Sequence, residues 1–232
     1  HDYISSEESG ISKVLLTASG GPFRTRDPGS MSKITTDEAC SHPNWKMGKK
    51  ISVDSATMMN KGLELIEACW LFNLTPDQIE VIVHPQSIVH SMVEYLDGSI
   101  LAQLGNPDMR TPIAQALAWP ERISSGVSSL DIISLMRLDF EPPNLKKFPC
   151  LSLAIKAAKA GGSAPITLNA SNEIAVDAFL KKEIMFTEIS EVVALSLKEI
   201  TLTNPDSLEA IQLCDKASRD ITLKLISEYF KK

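Results

Sequence analysis

The chain has 232 residues, 44% hydrophobic and 22% charged, which suits a globular protein able to bury a sizeable core. Its net charge is −6 and no Lys/Arg cluster is long enough to track a phosphate backbone, which argues against nucleic acid as a partner. No apolar run reaches the roughly 18 residues of a membrane helix, and Cys40, Cys69, Cys150 and Cys214 form no CxxC pair, so reduced thiols are expected in place of a zinc site or disulfide framework.

In chain order, the polar, acidic start from His1 to Glu8 has no signal-peptide character and no initiator Met, and reads as a cut edge. Residues 13–17 read as a buried strand running into a tight turn, Ala18-Ser19-Gly20-Gly21-Pro22. Residues 25–37 and 42–48, punctuated by Pro and Gly, read as loops. A helix is expected from Asp54 or Ser55, both competent N-caps, to Phe72. Residues 79–84 predict a strand, and residues 88–95 and 100–104, joined through Asp97-Gly98, a hairpin. A short helix follows at 111–118. Residues 121–147 read as a surface connector. Beyond Pro149, apolar spacing predicts helices over 151–160, 169–181, 188–200 and 208–230, a small bundle.

The helix after Ser55 carries the most chemistry. At about 100° per residue, Asn60, Lys61, Glu64 and Glu67 share an arc of about a third of the circumference. The rest of the surface, Met58, Met59, Leu63, Leu65, Ile66, Cys69 and Trp70, is apolar. A solvated face is the commoner cause of such a stripe. Here the wide apolar face predicts deep burial, and the stripe starts where free amides and the helix dipole favour an anion. Ser55, Asn60 and Lys61 supply hydroxyl, amide and ammonium for a phosphate, while Glu64 is a hard ligand suited to Mg2+ or Mn2+. The turn at Ser19 can offer a hydroxyl and consecutive amides to a phosphate.

His42, His90 and His84 are candidates, in that order, for polar contact with a substrate. His42 lies in a Pro/Gly-flanked loop beside Trp45, which suits a lid covering something apolar. Met109 suits a pocket wall or a core position. Spacing supports no Ser-His-Asp constellation.

The run from His42-Pro43-Asn44-Trp45-Lys46-Met47-Gly48 through Asp54-Ser55-Ala56-Thr57-Met58-Met59-Asn60-Lys61-Gly62-Leu63-Glu64 closely resembles the 1-deoxy-D-xylulose 5-phosphate reductoisomerases. So do residues 15–24, His84-Pro85-Gln86-Ser87, residues 107–112 and Leu168-Asn169-Ala170-Ser171-Asn172-Glu173. The resemblance implies rearrangement of 1-deoxy-D-xylulose 5-phosphate and its reduction with NADPH to 2-C-methyl-D-erythritol 4-phosphate, in the non-mevalonate route to isoprenoids. A divalent metal (Mg2+, Mn2+ or Co2+) would hold the substrate oxygens. Carried over by position, Ser19, Ser55, Asn60 and Lys61 bind the phosphate. Glu64 ligates the metal and touches the substrate. His42 contacts the substrate, Trp45 and Met47 close over it, Gly48 lies against NADPH, and His90 and Met109 line the site. His42, Lys61 and Glu64 form the catalytic set.

The family's upstream Asp-Ser-Glu metal motif and its N-terminal dinucleotide-binding domain are not in these residues, and Ala18 stands where the family often has Gly. The chain thus holds about one of three metal ligands, and by itself is expected to be inactive. The expected class is α+β: part of a mixed α/β catalytic domain with a small sheet (residues 1–120), a connector (121–147) and a C-terminal helical bundle (148–232). The resemblance further implies a homodimer joined at the catalytic-domain sheets, in a bacterial cytoplasm or a plastid. The competing reading is a dimerising scaffold that at most binds a phosphate compound weakly.

Overall fold

A computed structural model describes residues 10–41 and 47–230; His42 and Trp45 lie outside the described residues. The first apolar run forms β1 (Ile11–Ala18). A 3-10 turn over Pro28–Lys33 leads to α1 (Thr36–Cys40), and then come α2 (Lys49–Thr57) and α3 (Met59–Phe72). Strands β2 (Ile79–Val83), β3 (Val89–Tyr95) and β4 (Ile100–Leu104) follow, then α4 (Arg110–Ala118). The next segment is largely irregular and holds only α5 (Ile132–Leu135). The chain ends in α6 (Pro149–Ala160), α7 (Ala164–Leu180), α8 (Glu188–Glu199) and α9 (Leu208–Leu225), the last running into a π-helical turn, Ile226–Phe230. This is the α+β class expected from the sequence.

The sheet has the order β2-β1-β3-β4. β1 runs parallel to β2 and antiparallel to β3, and β4 closes the hairpin with β3. Side chains alternate across the pleat, and the core divides accordingly. Leu16 and Ala18 of β1, with Ile79, Val81 and Val83 of β2, join the large cluster under the helices. Leu15 packs on the opposite face with Val89, Met92, Ile82 and Leu104. The large cluster is continuous from Val53, Met59 and Leu65 into Leu151, Leu168, Val176, Ile189 and Val193 of α6, α7 and α8. Gly62 has no Cβ and lets α3 lie directly on Ala154 of α6. β4 is exposed along nearly its whole length, with Ile100 and Leu101 more than half accessible. Among the described residues, no helix is long and apolar enough to cross a membrane.

Three local expectations need correction. Residues 25–37 are more ordered than a loop. Thr35 accepts the Glu38 amide and Glu38 returns a bond to the Thr35 amide, a capping box that starts α1. The helix expected from Asp54 begins earlier, at Lys49, and ends at Thr57, so Asp54 and Ser55 are not caps. Met58 is left-handed (φ 61°) and separates α2 from α3. Thr57 supports this break: its hydroxyl donates to the Asp54 carbonyl at 3.2 Å and accepts the Met59 amide at 3.3 Å. Trp70, placed on the buried face by periodicity, is 79% exposed, because α3 packs on its Gly62, Leu65 and Ala68 side.

Glu38 also accepts from Arg26 at 2.7 Å. The Arg26 bond, followed by those from the Thr35 amide and hydroxyl, holds the Glu38 carboxyl at about 2 against an ordinary 4.5. With the folded value depressed, the cap's contribution is complete above the ordinary value and fades as pH falls through about 2. An NMR titration of Glu38 should show that low midpoint, and Arg26→Gln should raise it. A midpoint near 4.5 in the unaltered protein would show that the cap is not formed.

Candidate functional site

Ser19, Met47, Ser55, Asn60, Lys61, Glu64, His90 and Met109 line one cavity of about 460 Å³. They come from different parts of the fold: the turn after β1, the residues entering α2, α2 itself, the first turns of α3, β3 and the start of α4. Gly48 is the N-cap of α2 and does not line the cavity. Glu67, one turn further along α3, is exposed and stays outside it.

The break at Met58 shapes this arrangement. α3 restarts at Met59, so Asn60 and Lys61 occupy its first turn, where helical geometry leaves amides without partners in the helix. Ser55 comes from the end of the preceding helix. The turn after β1 meets both. Gly20 and Gly21 have φ values of +83° and +66°, a region most L residues avoid. A Cβ on Gly21 would stand 2.6 Å from the Ser55 carbonyl oxygen. The backbone of the turn therefore lies directly on the end of α2, and Ser19 reaches the same cavity as Ser55. The Ser19 hydroxyl accepts the Gly21 amide at 3.2 Å, which tightens the turn.

The polar stripe is internally bonded. Glu64 accepts from the Asn60 amide at 2.6 Å and forms an ion pair with Lys61. The Lys61 side chain is largely covered at 15% exposure, and Glu64 is more open at 38%. Cation, amide and carboxylate thus share one helical turn. His90, also in the cavity lining, lies against the Gly105 carbonyl, its Nε2 at 3.1 Å. Met109 is exposed beside it.

Sequence reasoning missed some lining residues, among them Ile51 and above all Ser87, which has φ +53° and faces the cavity. Its signal was the His-Pro-Gln-Ser turn between two strands. His84, the weakest of the three histidine candidates, is fully buried and hydrogen-bonded to backbone at both ring nitrogens, although its edge reaches the cavity wall.

A hard divalent cation fits this cavity only in part. Glu64 is a suitable oxygen donor, but the described residues contain no group of three or more His, Cys, Asp or Glu that could hold a metal.

Two family models match the chain. The DXP reductoisomerase C-terminal domain matches residues 104–221, and the 1-deoxy-D-xylulose 5-phosphate reductoisomerase C-terminal domain matches residues 2–72. The chain is 58% identical to a 1-deoxy-D-xylulose 5-phosphate reductoisomerase of Cellvibrio japonicus over 95% of its own length and 56% of the relative's. The counterpart from Cupriavidus metallidurans is 62% identical over 91% and 54%. Among solved structures, the Zymomonas mobilis reductoisomerase in complex with NADPH superposes with a TM-score of 0.88 at 50% identity, covering 94% of this chain and 56% of that one. A reductoisomerase with NADPH, fosmidomycin and magnesium superposes at 0.87 with 52% identity, over 95% and 56%. The chain spans about half the length of the relatives it matches.

Gly21→Ala tests the contact between the turn and α2. It places a left-handed Ala against the Ser55 carbonyl and should cost about 2–4 kcal/mol of stability in urea unfolding. An unchanged midpoint would mean that the turn does not rest on α2.

Proposed function

Because the chain belongs to the 1-deoxy-D-xylulose 5-phosphate reductoisomerase family, we propose that it serves the conversion of 1-deoxy-D-xylulose 5-phosphate, with NADPH, to 2-C-methyl-D-erythritol 4-phosphate. The observation that carries this reading is the convergence of Ser19, Ser55, Asn60, Lys61 and Glu64 on one cavity. In it, Ser19, Ser55 and Asn60 donate to the substrate phosphate. Lys61 and the first-turn amides of α3 add positive charge at the same point. Lys61 is mostly covered, so its field is less screened by water than that of a surface lysine. His90 and Met109 bound the carbon chain of the sugar, and Met47 borders the cavity; His42 and Trp45, outside the described residues, keep the substrate-covering role that the family resemblance implies. Gripping the phosphate fixes the register of the ketose, so its reacting carbons lie beside Glu64.

A divalent metal (Mg2+, Mn2+ or Co2+) in the site supplies Lewis-acid polarisation of the substrate oxygens, and Glu64 is the ligand that this chain gives it. The Asn60 and Lys61 bonds orient the Glu64 carboxylate for that purpose. Gly48 and Met47 form the edge facing NADPH. The residues described here form no dinucleotide cradle, so hydride transfer depends on groups other than theirs. The exposed edge strand β4, with Ile100 and Leu101 accessible, supports a homodimer formed through the sheets.

These roles are tested by substrate-dependent NADPH oxidation with the nucleotide-binding part present. Glu64→Gln should lower kcat/KM by roughly 10²–10⁴-fold at saturating Mg2+; near-normal turnover would remove Glu64 from the metal site. Lys61→Ala should act mainly on substrate KM, raising it about 10–100-fold. If KM does not move, Lys61 is a bystander to the phosphate.

A further inference from the structure

We infer that residues 139–141, in the irregular segment between α4 and α6, form a strap that sets the turns at the phosphate end of the cavity, with buried His84 as its positioning residue. The inference rests on the phosphate-binding reading above. His84 is 0% exposed, and its imidazole bridges two backbones. Nδ1 donates to the Asp139 carbonyl at 2.8 Å, and Nε2 accepts the Ile88 amide at 3.1 Å. A ring that donates at one nitrogen and accepts at the other has a single tautomer, with its proton on Nδ1. The ring stacks on Phe140, centroids 4.9 Å apart. The His84 amide donates to the Ala18 carbonyl at 2.7 Å, which ties the same residue to the turn carrying Ser19.

The strap makes further bonds on either side. The Gln86 side chain donates to the Asp139 carboxylate at 2.6 Å and accepts the Asp139 amide at 3.3 Å. Val83 and Glu141 exchange backbone hydrogen bonds, each 2.9 Å. Glu141 also pairs with Arg24 at 2.7 Å, beyond the two glycines of the β1 turn. Between His84 and Ile88 lies Ser87, left-handed and facing the cavity. A serine keeps that conformation only where its surroundings over-determine it, and here the His84 ring closes the turn around it. Removing the ring leaves the buried Ile88 amide and the part-buried Asp139 carbonyl without their His84 partners, and the turn opens to satisfy them. Ser87 then leaves the cavity, and the Ala18–Ser19 turn loses its anchor. His84 touches no substrate in this scheme and acts through Ser87 and Ser19.

The test compares His84→Phe, which keeps the ring volume but removes both bonds, with His84→Gln, whose amide can donate and accept, in the full-length protein. His84→Phe should raise the KM for 1-deoxy-D-xylulose 5-phosphate about 10–50-fold, with the KM for NADPH within about twofold, and His84→Gln should recover most of the loss. A merely structural lesion would lower the active fraction, and so kcat, at constant KM; that result, or an unchanged KM, overturns the strap. Titration with inorganic phosphate gives a readout independent of turnover. The unaltered protein should bind phosphate, and His84→Phe should bind it at least about tenfold more weakly. If the unaltered protein binds phosphate but oxidises no NADPH with the ketose, the functional reading fails and the strap is still judged by the phosphate affinities. Equal affinities, or no phosphate binding by the unaltered protein, overturn it. Should His84→Phe not fold, Gln86→Ala removes the neighbouring link at a half-buried position. It should raise the ketose KM by about three- to fivefold, and an unchanged value counts against the strap.

Discussion

No side chain separates the turn after β1 from the end of α2. Gly21 lies against the Ser55 carbonyl so closely that a single added carbon would collide with it. This backbone contact fixes where the sheet stands relative to the helices, and the geometry of the cavity follows from it. Ser19 rides on one partner of the contact and Ser55 on the other. α3, which restarts at Met59 just beyond, sends Asn60, Lys61 and Glu64 into the same space. Backbone packing of this kind is stiffer than contact through flexible side chains, which suits a site that must present donors to an anion before it arrives.

The end of α2 is held from its other side by a buried charge. The Asp54 carboxylate, 2% exposed, pairs with Lys50 at 2.6 Å and accepts from Asn172 of α7 at 2.8 Å. Burying a carboxylate is costly unless it is paired and hydrogen-bonded. These two partners, one from the same helix and one from the bundle, offset that cost. They also set the rotation of α2 about its axis, and so the direction of Ser55, the next residue. The bundle has its own buried polar contacts: Thr167 with Ser218, and Ser196 with Thr222, link α7, α8 and α9 through hydroxyls among apolar neighbours. Such pairs favour one register over others that apolar packing alone would tolerate.

Within the cavity, Lys61 and Asn60 both turn toward Glu64. Without a ligand this compensates the charges, since cation and carboxylate sit together on a turn that is only partly open to water. The amide, the ammonium and the carboxylate thus lie within about one helical turn of one another.

Much of this was readable in the residues. Short apolar runs marked β1 and β2, Asp97-Gly98 marked the hairpin, and spacing at 3.6 residues marked the helices after Pro149, because each of these signals is local. The stripe Asn60, Lys61, Glu64 was legible for the same reason: periodicity places side chains on a helix face. The starting points of helices were harder. Every residue from Lys49 to Phe72 tolerates a helix, so nothing local announces the left-handed Met58. The break depends on the Thr57 hydroxyl accepting the Met59 amide and on the burial of Met58 among distant residues. Trp70 misled for a related reason, since a helix pattern shows which face is apolar but not how much of that face a neighbour covers. By itself the sequence determined the elements, the chemical character of the stripe and the family. Only the tertiary structure decided that Ser19 meets Ser55, that Ser87 joins them and that His84 belongs to the scaffold. Those facts depend on which backbones approach one another across long stretches of chain, and local propensity carries no record of that.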